Sequence, residues 1–466
     1  MSEDRVGVES FGYRQELKRS LGLWDLVIYG LIFMVPIAPF GIFGSVYAIS
    51  KGMVALAYVI GMVGMVFTAM SYSEMSRAFP LSGSVYTYVG RGIAQPLGFL
   101  AGWGILLDYV LVPTLLYVVS GAAMQSVIPG VPIWAWVLAF IVFNTIINYL
   151  GIEMTARTNR IMLVAELIVL AIFLVFGILA IASGRGGVHF SFDPLYDPGR
   201  FSLHLVFGAV SVAVLSFLGF DGISTLAEEN REDARQIGRS ILLALFLAGA
   251  LFIVQTWVAA LLVQNPQHLI NTPSAQDSAF YDVAGFAGGR WLAVLTAVAT
   301  AVAWGFADAL VAQAATSRLL YSMARDGQLP RILSRVHPRR RVPENAMFLV
   351  AGVSVVVGLW ASAQSNAITL LSTLVNFGAL FAFLLLHASV IYYFGVRRHS
   401  GRWGRHLLSP AIGLVIIGYV LSQAFPSAKT VGLIWLAIGV VVVIVLRMTG
   451  RRVELSGLSD GQEGKE

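Results

Sequence analysis

Apolar runs long enough to cross a lipid bilayer recur almost from end to end of this chain and leave room for little else. A helix needs about 20 apolar residues to span the hydrocarbon core. About twelve such runs can be read: residues 22–50, 53–78, 94–127, 132–150, 159–183, 203–228, 240–264, 289–323, 346–363, 367–395, 407–425 and 430–448. Only helices and closed barrels satisfy every backbone group in lipid, and barrel strands are short and alternating. The runs therefore predict an all-α integral membrane protein. Charged residues make up 12% of the chain, against about 25% in a soluble domain. Cysteine is absent, which excludes disulfides and thiolate metal sites. The N-terminal stretch is polar and charged, without the apolar core of a cleavable signal.

The arginines separate by side. Arg14 and Arg19, Arg77 and Arg91, Arg157 and Arg160, Arg231 to Arg239, Arg325 to Arg341, Arg397 to Arg405 and Arg447 to Arg452 all fall in alternate loops. The opposite loops hold chiefly Arg185, Arg200, Arg290 and Lys429. With an even number of spans, the positive-inside rule makes the arginine-rich side cytoplasmic, with both termini on it, in a bacterial inner membrane. The net charge of +6 thereby reads as topology and not as a nucleic-acid surface. Residues 184–202 and 265–288 are expected to be outer loops, and segments 1–20 and 449–466 cytoplasmic tails.

Two spans are interrupted. The sixth contains Leu218-Gly219-Phe220-Asp221-Gly222 and closes on Glu228 and Glu229. A carboxyl at the bilayer centre costs about 2.5–3.5 kcal/mol on insertion scales and normally faces a cavity or a partner. The flanking glycines each weaken the helix by about 1 kcal/mol relative to alanine. The first span carries Val35-Pro36-Ile37-Ala38-Pro39-Phe40-Gly41, where two prolines remove backbone donors. Corresponding interruptions in two successive five-span blocks are the sequence mark of a binding site in an inverted-repeat transporter.

Ser73-Glu74-Met75-Ser76-Arg77-Ala78-Phe79-Pro80 with Gly83-Ser84-Val85-Tyr86-Thr87-Tyr88 resembles the second-span motif of the amino acid–polyamine–organocation (APC) superfamily. Ser317 to Gly327 is similar to its eighth-span motif, and Leu374-Val375-Asn376-Phe377-Gly378-Ala379-Leu380 to its tenth. Leu106-Leu107-Asp108-Tyr109, Ser216 to Asp221 and His337-Pro338 look most like bacterial putrescine importers. The resemblance covers residues 18–448. It implies a 5+5 inverted-repeat (APC/LeuT-type) fold with broken helices 1 and 6, repeats at 21–183 and 203–395, and two extra helices at 407–448. It also implies alternating access and import driven by protons.

Four carboxyls lie inside apolar runs: Asp108, Glu166, Asp221 and Asp308. No lysine or arginine sits in the middle of a span to neutralise them. They await a proton or a cation from outside the chain. A diamine supplies two charges for such a lining, whereas an amino acid brings a carboxylate that prefers helix N-termini. The expected substrate contacts are Asp221, Asp108, Tyr109, Phe220, Pro36, Ala38, Phe40, Ser216, Gly219, Asp308 and Asn376. Tyr109 offers a ring face to an ammonium, worth roughly 0.5–2 kcal/mol. Glu166 is expected to carry the coupled proton or to meet the far amine. By the resemblance, it stands where some relatives carry a lysine, so their mechanism does not transfer unchanged. Phe220, Glu228 and Glu229 are expected gate residues, and Glu74 and Arg77 a local pair.

No nucleophile elbow, zincin helix or phosphate loop is present, so no enzyme, metal or cofactor is indicated. His387, alone within a run, reads as a satisfied core histidine. The competing reading is an amino acid permease on the same fold; a ligand sensor and a membrane enzyme follow it.

Overall fold

The computed structural model describes residues 21–79, 85–151, 156–231, 235–325, 329–340 and 342–448. Both expected tails, residues Pro80 to Ser84 and Asp326-Gly327 of the motifs, and the side chains of Arg157 and Glu228 lie outside the described residues. Among the described residues, ten helices are long and apolar enough to cross a membrane, and two bent pairs bring the total to twelve. We number these α1 to α12. Helix α1 is Leu23–Met34 (α1a) plus Pro39–Ser50 (α1b), and α6 is Leu203–Phe217 (α6a) plus Phe220–Ala227 (α6b). Between them run α2 (Val54–Ala78), α3 (Gln95–Val127), α4 (Ile133–Leu150) and α5 (Ala156–Ala182). Then follow α7 (Arg235–Leu261), α8 (Arg290–Tyr321), α9 (Glu344–Ser362), α10 (Ala367–Arg397), α11 (Gly404–Gln423) and α12 (Pro426–Met448). The fold is all-α, with α1 and α6 broken as the resemblance implies.

The breaks have local causes. Pro36 and Pro39 deprive α1 of two donors, and Val35 between the halves adopts φ 48° and ψ 98°, a conformation costly for a β-branched residue. The halves meet at 59°. In α6, Leu218 is extended and Gly219 sits at φ 108°, and the helix bends by 41°. A Cβ on Gly219 would lie 2.9 Å from the Phe33 carbonyl oxygen, so the two breaks cross in contact. A third irregularity is a wide π-helical stretch in α8, Ala301–Asp308; such turns frequently mark functional sites.

Each irregular stretch exposes backbone carbonyls, and an amide from a neighbouring helix meets each one. Gln255 Nε2 on α7 donates to Pro36 O at 2.9 Å. Asn376 Nδ2 on α10 donates to Ser211 O at 2.7 Å and Val212 O at 3.2 Å. Asn144 Nδ2 on α4 donates to Gly305 O at 2.7 Å.

Within the segment expected as an outer loop, 265–288, the chain folds into three short helices, Pro266–Asn271, Pro273–Gln276 and Ala279–Gly288. Proline opens the first two, where a missing N–H is harmless. All three pack on α1b, forming a lid. His387 is satisfied as expected, with Ser71 Oγ 2.9 Å and Thr68 Oγ1 3.2 Å from its two ring nitrogens. The expected Glu74–Arg77 pair is present at 3.3 Å. Glu74 also meets His406 at 3.1 Å, and this histidine is buried.

Candidate substrate cavity

A cavity of about 120 Å³ opens where the two breaks cross. Backbone and apolar side chains from α1 and α6 form one wall: Phe33, Val35, Ala38, Leu218, Gly219 and Gly222. Asp108, Tyr109 and Val112 face it from α3, and Trp304, Asp308 and Thr316 from α8. Asp221 completes the lining. The approach of α10 places Asp108, because Gly378 packs directly on the Gly104 carbonyl and the Asp108 backbone nitrogen, leaving no space for a side chain.

Asp221 is held in place. The Tyr72 hydroxyl donates to its Oδ2 at 3.4 Å, and backbone N–H groups of the break point at it. Asp108 is close enough for the two acids to repel. Asp308 opens on a second, smaller chamber behind the α1 break, of about 40 Å³, lined also by Asn159, Met162 and Glu166. Glu166 Oε2 is buried there without a hydrogen-bond partner among the described residues, within the field of Asp308. The cavity and chamber thus gather all four intramembrane acids, and no lysine, arginine or histidine lines either.

The expected contacts divide. Asp221, Asp108, Tyr109, Ala38, Gly219 and Asp308 line the cavity, and Glu166 lines the chamber. Phe40 does not; it stacks on Phe280 of the lid at 3.9 Å. Ser216 is turned to the Tyr58 hydroxyl at 3.0 Å. Pro36 and Asn376 serve the carbonyl bonds described above. Phe220 is fully buried, edge-on to Tyr72 at 6.0 Å and near Phe383 at 5.8 Å, and does not line the cavity. At Glu229, backbone bonds join the halves: Leu21 N donates to Glu229 O at 3.1 Å and Arg231 N to Leu21 O at 3.2 Å. This strand-like clasp binds the start of α1a to the end of α6b.

The sequence reading missed Tyr72 and Asn159. Asn159 lies seven residues before Glu166, on the same helix face, so its place was available from spacing. Tyr72 carried no such signal, because its partner lies 149 residues away.

The amino acid permease family profile matches residues 31–411. The chain belongs to the amino acid permease family, within the APC superfamily. Members of this family are transporters and not enzymes. The low-affinity putrescine importer PlaP of Escherichia coli (strain K12) is 31% identical over 437 residues, 92% of this chain and 93% of the relative. The branched-chain amino acid permease BcaP of Bacillus subtilis (strain 168) is 26% identical over 461 residues, with 92% and 93% covered. The methylthioribose transporter of the same organism is 24% identical over 458 residues, with the same coverage. This permease is thus a multi-pass membrane transporter.

Proposed function

We propose that this permease imports a small organic cation, putrescine or a related amine, together with protons, by alternating access around the crossed breaks. The observation that carries this reading is the lining: Asp108, Asp221 and Asp308 share one cavity with no basic side chain. A desolvated carboxylate is tolerated only when paired or neutralised, and an ammonium ion does that. Tyr109 and Trp304 add aromatic faces to it. A free α-carboxylate finds little to hold it. The α1 break lacks two donors at Pro36 and Pro39, and the Ala38 N–H is already given to Val35 O at 2.7 Å. The likeness to a putrescine importer supports the same class.

Glu166 is the coupling group in this proposal. Its unpartnered oxygen lies apart from the main cavity but shares the Asp308 side chain with it, so a proton there and a cation in front of it sense one another. We place the arginine-rich loops and both termini in the cytoplasm of a bacterial inner membrane, and the two repeats at 21–183 and 203–395. The competing substrate is an amino acid, favoured by the likeness to BcaP.

Uptake of labelled putrescine into proteoliposomes tests the proposal. Uptake is expected to accelerate when the outer medium is made acidic. Glu166→Gln is expected to flatten that response while leaving putrescine binding in place. An unchanged pH profile in Glu166→Gln returns this residue to a structural role, and the absence of putrescine uptake in the native protein removes the substrate.

A further inference from the structure

The wide turn of α8 is bonded to α4, and those bonds bear on Asp308. In a regular α-helix Gly305 O takes the N–H of Ala309, four residues on. Here the Ala309 N–H turns to Trp304 O, five residues back as in a π turn, and to Phe306 O. Asn144 of α4, which has no exposed surface, gives Gly305 O a donor from its Nδ2 at 2.7 Å. Asn148, one turn along α4, continues the contact. Its Nδ2 donates to Leu310 O at 3.1 Å and to Gln313 Oε1 at 2.8 Å. Gln313, itself fully buried, donates from Nε2 to Thr145 Oγ1 at 2.9 Å. None of these α4 residues lines the cavity or the chamber.

Other positions of α8 do line them. Trp304, Asp308, Ala312 and Thr316 follow the cavity at intervals of four, and Ala303, Ala307 and Val311 follow the chamber in the same way. In an α-helix each step of four residues overshoots a full turn by about 40°, so such a column winds off the wall it faces. A π turn holds more residues and comes closer to completing one turn in that step. It cancels part of the drift between Trp304 and Asp308, at the point where Asp308 must reach both the cavity and the chamber.

We infer that Asn144 is a positioning residue for Asp308: its amide supplies the donor that the wide turn withdraws from Gly305 O, and so keeps Asp308 on the boundary shared by the cavity and the Glu166 chamber. Without the amide, Gly305 O regains a partner by drawing back the Ala309 N–H. That restores the tighter helix and rotates Asp308 relative to Trp304. Asn144 touches no substrate, so its effect on transport runs through α8. What Asp308 does for an amine rests on the proposed function; where it stands does not.

The chain has no cysteine, so Asp308→Cys and Val112→Cys each put one thiol on the cavity, from α8 and from α3. The full-length protein in nanodiscs is treated with methyl methanethiosulfonate, a small neutral reagent, and modification is followed by mass spectrometry. Asn144→Leu is expected to slow reaction at Asp308→Cys by about tenfold, the weight of one buried carbonyl left unpaired, and to leave Val112→Cys at its original rate. Asn144→Ser, too short to reach Gly305 O, repeats the test where Asn144→Leu fails to accumulate in the membrane. An unchanged or faster rate at Asp308→Cys overturns the inference. So does an equal fall at both thiols, which marks a general collapse of the cavity. The reagent needs no amine site, so a permease that does not carry putrescine leaves this test standing.

Discussion

At the scale of single residues, the permease is organised by acids without bases. Asp221 differs from the other three intramembrane acids because the break and Tyr72 aim it. Asp221→Asn keeps the shape and removes the charge. Losing one partner of a buried charge pair costs about 2–5 kcal/mol, so putrescine uptake by this variant is expected to fall at least about thirtyfold with membrane abundance unchanged. Transport assays beside surface quantification check this, and native rates would remove Asp221 from the site. The acids were legible in the sequence because a carboxyl in an apolar run is conspicuous. Phe40, Ser216 and Asn376 do not line the cavity, and proximity to a break in the sequence does not say which way a side chain turns. Asn376 has a neighbouring helix's carbonyls to satisfy, Ser216 a tyrosine hydroxyl and Phe40 the lid.

Among the elements, the breaks decide the geometry. Proline and glycine write both into the sequence, and the bends appear where those residues stand, at 59° and 41°. The π-helical stretch in α8 was not legible, since Trp304-Gly305-Phe306-Ala307-Asp308 fits an ordinary helix equally well. Asn144, which satisfies the Gly305 carbonyl, comes from a helix 161 residues distant. Nor was the folded lid, because proline and polar residues suit loops and short helices alike. The α1–α6 crossing makes a sharp prediction. Gly219→Ala puts a Cβ 2.9 Å from the Phe33 carbonyl oxygen at φ 108°, where a non-glycine residue costs about 1–3 kcal/mol. The variant is expected to melt several degrees lower in detergent and to lose uptake. Unchanged melting and transport would mean that the breaks do not need to touch.

At the scale of the whole molecule, hydropathy and arginine placement suffice to predict a twelve-span membrane protein, while the peripheral packing follows from contacts that no pattern announces. Helix α12 is fastened by a reciprocal pair, Trp103 Nε1 to Trp435 O at 2.7 Å and Trp435 Nε1 to Trp103 O at 2.8 Å, with the rings stacked at 4.8 Å. The central claim concerns what this assembly holds at its middle. It is tested most directly by binding of radiolabelled putrescine to the purified protein, competed by unlabelled spermidine, arginine, alanine and branched-chain amino acids. The acid-lined cavity predicts displacement by the amine and none by alanine or the branched-chain amino acids. Displacement by a neutral amino acid, or no putrescine binding at all, would contradict it and assign the four acids to protons and packing.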